Sequence, residues 1–108
     1  TRRYKELSKR YNMVFAQGYL KSWNIVSERS QAPDREFIEA IVTKLTEYSN
    51  VKDSGAVLMG SSNGAALVNQ FAIETKLDHF SHYITVVSQL NAWQHDGTAF
   101  KAKGRDNN

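Results

Sequence analysis

A serine stands between two glycines at Gly60-x-Ser62-x-Gly64, after the apolar run 56–59 and before a second apolar segment. Glycines two residues on either side relieve crowding where a strand turns sharply into a helix, and a serine there is held strained and exposed. The helix that follows directs its amide N–H groups and positive dipole end toward the serine. The spacing therefore predicts that Ser62 is a nucleophile for a carbonyl carbon, with the backbone N–H of Asn63 donating to the resulting oxyanion.

Two other interpretations of the same five residues stay open. The glycines could serve only a tight junction between strand and helix, with Ser62 as the helix N-cap. A glycine-rich turn before a helix can also bind phosphate. The phosphate interpretation lacks the lysine of G-x-x-x-x-G-K-[ST] and the spacing of G-x-G-x-x-G.

The hydrophobic pattern predicts the elements that would position these residues. Helices are expected over residues 3–10, over an amphipathic segment that begins at Pro33, and over 63–75. Short apolar runs predict strands over 13–16, 56–59 and 83–87, while the polar stretch 17–32 is expected to be a long connection. This alternation predicts an α/β fold with three parallel strands and helices on both faces of the sheet.

Ligands of parallel sheets bind at the carboxyl ends of the strands. Gln17, Ser62 and Ser88 fall at or just past those ends. We therefore expect Gln17 to contact the substrate of Ser62.

A nucleophilic serine also needs a base and a carboxylate that orients the base. The candidates after Ser62 are Asp78, His79, His82, His95 and Asp96. The first three lie at the amino end of the predicted third strand, away from the serine. His95 and Asp96 are adjacent, with the acid second, and Asp-Gly is itself a turn signal. The sequence therefore predicts a nucleophile and one oxyanion donor without a base, and the chain alone is expected to be inactive.

The amino-acid composition narrows the classes of site and partner that the chain could have. The 108 residues contain no cysteine, which excludes disulfides and thiolate sites, and no metal or cofactor is expected. No segment approaches the roughly 18–20 apolar residues of a membrane span. The net charge of +3 is concentrated near the N-terminus, where a solvated helix face is favoured over a nucleic-acid site. We expect no nucleic-acid or membrane partner, and the oligomeric state stays open.

Several segments resemble a known family. Residues 60–66 (GSSNGAA) are similar to the G-x-S-N-G-G element of polyhydroxybutyrate depolymerases and related feruloyl- and acetylxylan-type esterases. Residues 11–18 (YNMVFAQG) resemble the family's YGFIVVYPQG, residues 22–24 its SWN, and residues 34–38 its DVGFI. The likeness covers about residues 5–90. Ala16 stands where the family usually has proline, and Ala65 where it often has a second glycine.

The resemblance implies an α/β-hydrolase fold, of which residues 1–108 form a single partial domain. It implies that the strand with a His-Gly oxyanion loop and the part with the catalytic Asp and His lie outside these residues. The implied substrates are carboxylic esters, small or polymeric: a polyester, or feruloyl or acetyl esters of a polysaccharide. Trp23 is then expected to line the acyl or sugar site, or else to anchor the connection in the core.

We further expect a secreted or periplasmic protein. The alternative function is a non-catalytic α/β module that binds a ligand or partner at the same crevice.

Overall fold

The computed structural model describes residues 4–26, 28–52 and 55–87. Their elements, in chain order, are α1 (Lys5–Ser8), a 3₁₀ turn (Tyr19–Lys21), α2 (Asp34–Leu45), β1 (Ala56–Ser61), α3 (Asn63–Glu74) and β2 (Phe80–Val86). Mixed helices and strands of this kind make a small α/β domain.

The two strands pair in parallel, with Val57 opposite His82 and Ser61 opposite Val86. Parallel neighbours cannot be joined by a tight turn, and here α3 forms the crossover between them. Both strands therefore end at the same edge of the sheet. That edge is where β1 runs into α3.

The core lies between α3, the sheet and the connection before α2. Ile25, Ile38, Leu67 and Phe71 form its buried cluster. The ring of Phe71 is fully buried and meets the ring of Phe80 edge to face, with centroids 5.1 Å apart. Leu58 of β1 and Phe80 of β2 pack against this cluster. Burying apolar surface contributes roughly 25 cal/mol per Å², so the cluster stabilises the packing of the connection, α2 and α3 with the sheet.

The start of α2 is tied to the connection by a buried carboxylate. Asp34 is 5% exposed and accepts the backbone N–H of Asn24 at 2.5 Å. A carboxylate in the first turn also complements the positive end of the helix dipole. The connection is thus fixed at its centre even though it has little regular secondary structure.

Most of the predicted elements are confirmed, with shifts at their ends. The helices expected from Pro33 and over 63–75 are α2 and α3, and Pro33 is the N-cap of α2 rather than its first residue. The strand expected over 56–59 continues to Ser61, and the last strand begins at Phe80, three residues early. The N-terminal helix is reduced to the single turn of α1.

The prediction of a strand over residues 13–16 is wrong for the described structure. The segment is not in the sheet, and Val14 and Phe15 are 55% and 59% exposed. The ring of Phe15 contacts the ring of Tyr4, and the side-chain amide of Asn12, just before the segment, donates to the Asn50 carbonyl. A short apolar run becomes a strand only where a neighbouring edge can accept its backbone hydrogen bonds.

The prediction of helices on both faces also fails among the described residues. Leu58 and Tyr83 lie on the face that α3 covers. The side chains of the other face are exposed: Val57 at 50%, Met59 at 42%, Ile84 at 43% and Val86 at 40%. Alternation along the chain indicated a parallel sheet correctly, but it could not say on which side each helix packs.

Candidate active site

The turn from β1 into α3 gives Ser62 an uncommon backbone conformation. Its φ is +54° and its ψ is −121°, and it stands between the last strand residue and the first helical residue. A non-glycine residue with these angles costs on the order of 1–3 kcal/mol and persists where the surroundings fix it. Strained residues of this kind concentrate at functional sites, and a strained serine between strand and helix is the geometry of a nucleophile elbow.

Three backbone hydrogen bonds hold Ser62 in this conformation. Its N–H donates to the carbonyl of Val86 at 3.0 Å, which extends the strand ladder by one residue. Its own carbonyl accepts the N–H groups of Ala65 at 2.9 Å and of Ala66 at 3.1 Å. The serine is therefore fixed to the sheet on one side and to the first turn of α3 on the other.

The two glycines permit the sharpness of this turn, and Gly60 is the more constrained. A Cβ built on Gly60 would lie 2.2 Å from the carbonyl oxygen of Gly64 and 2.9 Å from the nitrogen of Ala65. Backbone at such a distance leaves no room for any other side chain. The first turn of α3 therefore packs directly on the strand that precedes it.

The side chain of Ser62 does not cap α3. Ser62 occupies the N-cap position and is exposed, but no side-chain capping hydrogen bond is made there. A serine retained for capping would accept the N–H of the second or third helical residue. The junction-only interpretation thus loses the bond that would explain a serine, and the hydroxyl is accessible from solvent.

The N-terminus of α3 carries the backbone N–H that is expected from the sequence to donate to an oxyanion. The backbone N–H of Asn63 belongs to the first helical residue, which has no partner within its own helix. No backbone carbonyl of residues 4–26, 28–52 or 55–87 accepts it. This N–H and the dipole of the 12-residue helix lie immediately beside Ser62.

Trp23 and Asn63, both predicted site residues, are in direct contact. The backbone N–H of Trp23 donates to the Oδ1 of Asn63 at 2.8 Å. The indole ring lies over the start of α3, because a Cβ on Gly64 would be 3.6 Å from its Nε1. Trp23 is half-buried and also packs against the core cluster. It therefore contacts the elbow and anchors the connection at the same time.

Glu28 belongs to the same arrangement and was missed by the sequence analysis. Its Oε1 accepts the side-chain amide of Asn63 at 3.3 Å. Its Oε2 accepts the backbone N–H groups of Ile25 at 3.0 Å and Val26 at 2.6 Å. A single acidic residue in the polar stretch 17–32 was a weak signal, and the side-chain role of Asn63 gave none.

Gln17, the other residue predicted to contact the substrate, is connected to the turn at Ser62 only indirectly. Its side-chain amide donates to the carbonyl of the adjacent Gly18 at 3.4 Å. Gly18 is buried, and a Cβ on it would be 3.0 Å from the Trp23 ring. Within the described structure, Gln17 is thus connected to the elbow through Gly18 and Trp23, and its side chain is bonded to neither Ser62 nor Asn63.

The two described histidines are remote from the serine. His82 pairs with Val57, which lies four residues before Ser61 on β1. At roughly 3.3 Å per residue, His82 is therefore roughly 13 Å from the level of Ser61 along the strands. His79 lies further toward the amino end, where its carbonyl accepts the N–H of Ala56. Neither is placed to take a proton from Ser62, as the sequence analysis expected. His95, Asp96 and Ser88 lie outside the described residues.

Three further observations on the described part of the chain concern metal ions, membranes and basic residues. No group of three or more histidine, aspartate or glutamate side chains within it is arranged to hold a metal ion. None of its helices combines the length and the apolar character needed to cross a membrane. Lys5, Lys9 and Arg10, in α1 or directly after it, are exposed, and Lys9 pairs with Glu6 at 2.9 Å.

Comparison of the chain with models of protein families, with curated proteins and with solved structures finds no match.

Proposed function

We propose that this chain carries the nucleophile of a serine ester hydrolase, with Ser62 as the reacting residue. The observation that carries the proposal is the backbone of Ser62, strained at φ +54° and ψ −121° and fixed by three hydrogen bonds. The hydroxyl left out of helix capping supports the same assignment. Glycine would adopt a positive φ without strain. Leu20, Lys21 and Val87 also have positive φ, but among the described residues only Ser62 has it at the turn from a strand into a helix.

The reaction is acyl transfer through a covalent intermediate. Ser62 Oγ attacks the ester carbonyl carbon and gives its proton to a base, while the N–H of Asn63 donates to the developing oxyanion. Collapse of the tetrahedral intermediate breaks the bond to the alcohol, which leaves with the proton from the base. Water then attacks the acyl-serine by the same route, releasing the acid and restoring the hydroxyl.

The proposal assigns the base and its carboxylate to a histidine and an acid outside the described residues. We further propose that the chain is part of an α/β-hydrolase fold whose remaining strands and helices lie outside the described residues. The proposed substrates, from the sequence resemblance, are polyesters or feruloyl and acetyl esters of polysaccharides. A secreted or periplasmic location suits polymeric substrates of this kind.

Active-site labelling tests the assignment of Ser62. The natural polypeptide that carries this sequence, at its full length, is treated with a fluorophosphonate probe, and hydrolysis of p-nitrophenyl acetate is measured in parallel. We expect the probe on the peptide that contains Ser62, and loss of both label and hydrolysis in Ser62→Ala. Ser61→Ala is the matched control, since it removes the neighbouring exposed hydroxyl and should keep both. Absence of label, or label that survives Ser62→Ala, overturns the proposal.

The same experiment decides the alternative. A non-catalytic module that binds a ligand or partner at the elbow is supported by the remote position of both described histidines. Such a module would show no hydrolysis and no label at Ser62 in the natural polypeptide. Label on Ser62 together with turnover excludes it.

A further inference from the structure

The side chain of Asn63 joins the elbow to the connection through two opposite hydrogen bonds. Its Oδ1 accepts the backbone N–H of Trp23, and its Nδ2 donates to the Oε1 of Glu28. The second carboxylate oxygen of Glu28 accepts the N–H groups of Ile25 and Val26. Trp23 and Glu28 are thereby both tied to the first residue of α3, in a hydrogen-bonded loop that the bonds to Ile25 and Val26 complete.

The direction of every bond in this loop is fixed by the chemistry of its groups. The Trp23 N–H can only donate, so Asn63 must present its oxygen there and its NH₂ on the other side. The residue that receives the NH₂ must accept, and it must also accept from two backbone N–H groups. An ionised carboxylate has the lone pairs for all three bonds, and hydrogen bonds to a charged acceptor are the stronger class.

Trp23, whose backbone N–H belongs to this loop, has its ring beside two glycines. A Cβ on Gly18 would be 3.0 Å from the Cδ2 of Trp23, and one on Gly64 would be 3.6 Å from its Nε1. The indole therefore lies against two glycines, and one of them belongs to the turn that carries Ser62. A small movement of the Trp23 backbone would change the distance between the indole and an acyl group bound at Ser62.

We propose that Glu28 is a positioning residue that sets the acyl preference of the Ser62 site, acting through Asn63 on Trp23. This inference rests on the proposed function. The preferred acyl group is flat and cyclic, because a fixed indole offers an aromatic ring an edge or a face to pack on, and offers an acetyl group little.

Each hydrogen bond in the loop has a fixed donor and a fixed acceptor. The proposal can therefore be tested by moving the negative charge from residue 28 to residue 63. In Glu28→Gln the single side-chain oxygen can accept from Ile25 and Val26, but the new NH₂ group then faces the NH₂ of Asn63. Turning the Asn63 amide relieves that contact and presents its NH₂ to the Trp23 N–H instead. In the double variant Glu28→Gln with Asn63→Asp, the introduced carboxylate accepts from both the introduced amide and the Trp23 N–H. The single variant breaks the loop and the double variant restores it with the charge moved.

The first readout is the ratio of kcat/KM for p-nitrophenyl ferulate to that for p-nitrophenyl acetate, in the natural polypeptide at full length. The two esters share a leaving group, so the ratio is insensitive to changes in oxyanion stabilisation that affect both. We expect Glu28→Gln to lower the ratio about three- to tenfold, the range expected from loss of an aromatic contact. The double variant should return the ratio toward its starting value. Glu47→Gln, at an exposed glutamate after α2, is the matched control and should leave it unchanged.

The second readout needs no activity. Hydrogen exchange at the Trp23 amide should be slow in the unsubstituted protein, faster in Glu28→Gln and slow again in the double variant.

An unchanged ratio in Glu28→Gln, or a lowered ratio that the double variant does not restore, overturns the proposal. Ser62 labelling separates these failures from failure of the proposed function. If Ser62 is labelled in every variant but the kcat/KM ratio does not fall when the loop is broken and recover when it is restored, the inference alone is wrong. If Ser62 is not labelled in the unsubstituted protein, the function is wrong.

Discussion

Gly60 and Gly64 lie backbone against backbone, with 2.2 Å between the position of a Cβ on Gly60 and the carbonyl oxygen of Gly64. The relationship is not reciprocal. A Cβ on Gly64 would meet nothing closer than the Trp23 Nε1 at 3.6 Å, which is an ordinary contact. The two glycines of one motif therefore have different physical reasons to be glycine.

Alanine substitutions should separate these reasons. Gly60→Ala forces the strand away from the first turn of α3 and should lower the free energy of unfolding by about 2 kcal/mol or more, as overpacking against rigid backbone does. Gly64→Ala should raise it by roughly 0.5–1 kcal/mol, since alanine is the better helix former and its Cβ would make only an ordinary contact with Trp23. Urea unfolding of both variants measures the difference. Equal costs at the two positions would contradict the described packing of the elbow.

The strain at Ser62 predicts that glycine stabilises the fold while removing the nucleophile. Ser62→Gly relieves a positive φ that costs on the order of 1–3 kcal/mol, partly offset by the greater freedom of glycine in the unfolded chain. Ser62→Ala removes the same hydroxyl but keeps the strain. We expect the urea midpoint of Ser62→Gly to exceed that of Ser62→Ala, with neither variant labelled by a fluorophosphonate. An alanine variant as stable as the glycine variant would show that the turn is not strained.

Adjacent residues of β1 should report which face of the sheet is packed. Leu58 lies against the core cluster, whereas Val57 is 50% exposed. Leu58→Ala should cost about 1–2 kcal/mol, below the range for fully buried leucines, and Val57→Ala about 0.5 kcal/mol. Thermal unfolding of the two variants checks the difference. A Val57 cost as large as that of Leu58 would mean that something covers the face that is open in the described structure.

The elbow was predictable because its causes are local. Gly60, Ser62 and Gly64 each act on the turn that contains them, and the apolar runs on either side fix its direction. The segment 13–16 was not predictable in the same way, because its state depends on a neighbouring strand edge and not on its own residues.

The contacts of the connection could not be read from sequence for a related reason. Glu28 and Asn63 are 35 residues apart, and their bond depends on how a loop without a periodic pattern folds back on α3. Trp23 was identified from its type and from the family resemblance. Its packing against the core cluster confirms the anchoring role, and the acyl-site role stays a prediction. No sequence pattern pointed to Glu28, the acceptor that orients the Asn63 side chain bonded to Trp23.

The loss of folding stability at alkaline pH should depend on Tyr83. Its ring lies beside Phe71 and Phe80, and burial raises its pKa above the ordinary value of 10.0. The unfolded chain therefore loses this proton at a lower pH than the folded chain does. The stabilising contribution is fully present below about pH 10 and is lost as the pH rises through the folded-state pKa. Tyr83→Phe should thus flatten the fall in urea midpoint above about pH 10, whereas Tyr48→Phe, the same change at an exposed tyrosine, controls for loss of a phenol. If Tyr83→Phe leaves the slope as steep as in the unsubstituted protein, Tyr83 is not the group that titrates.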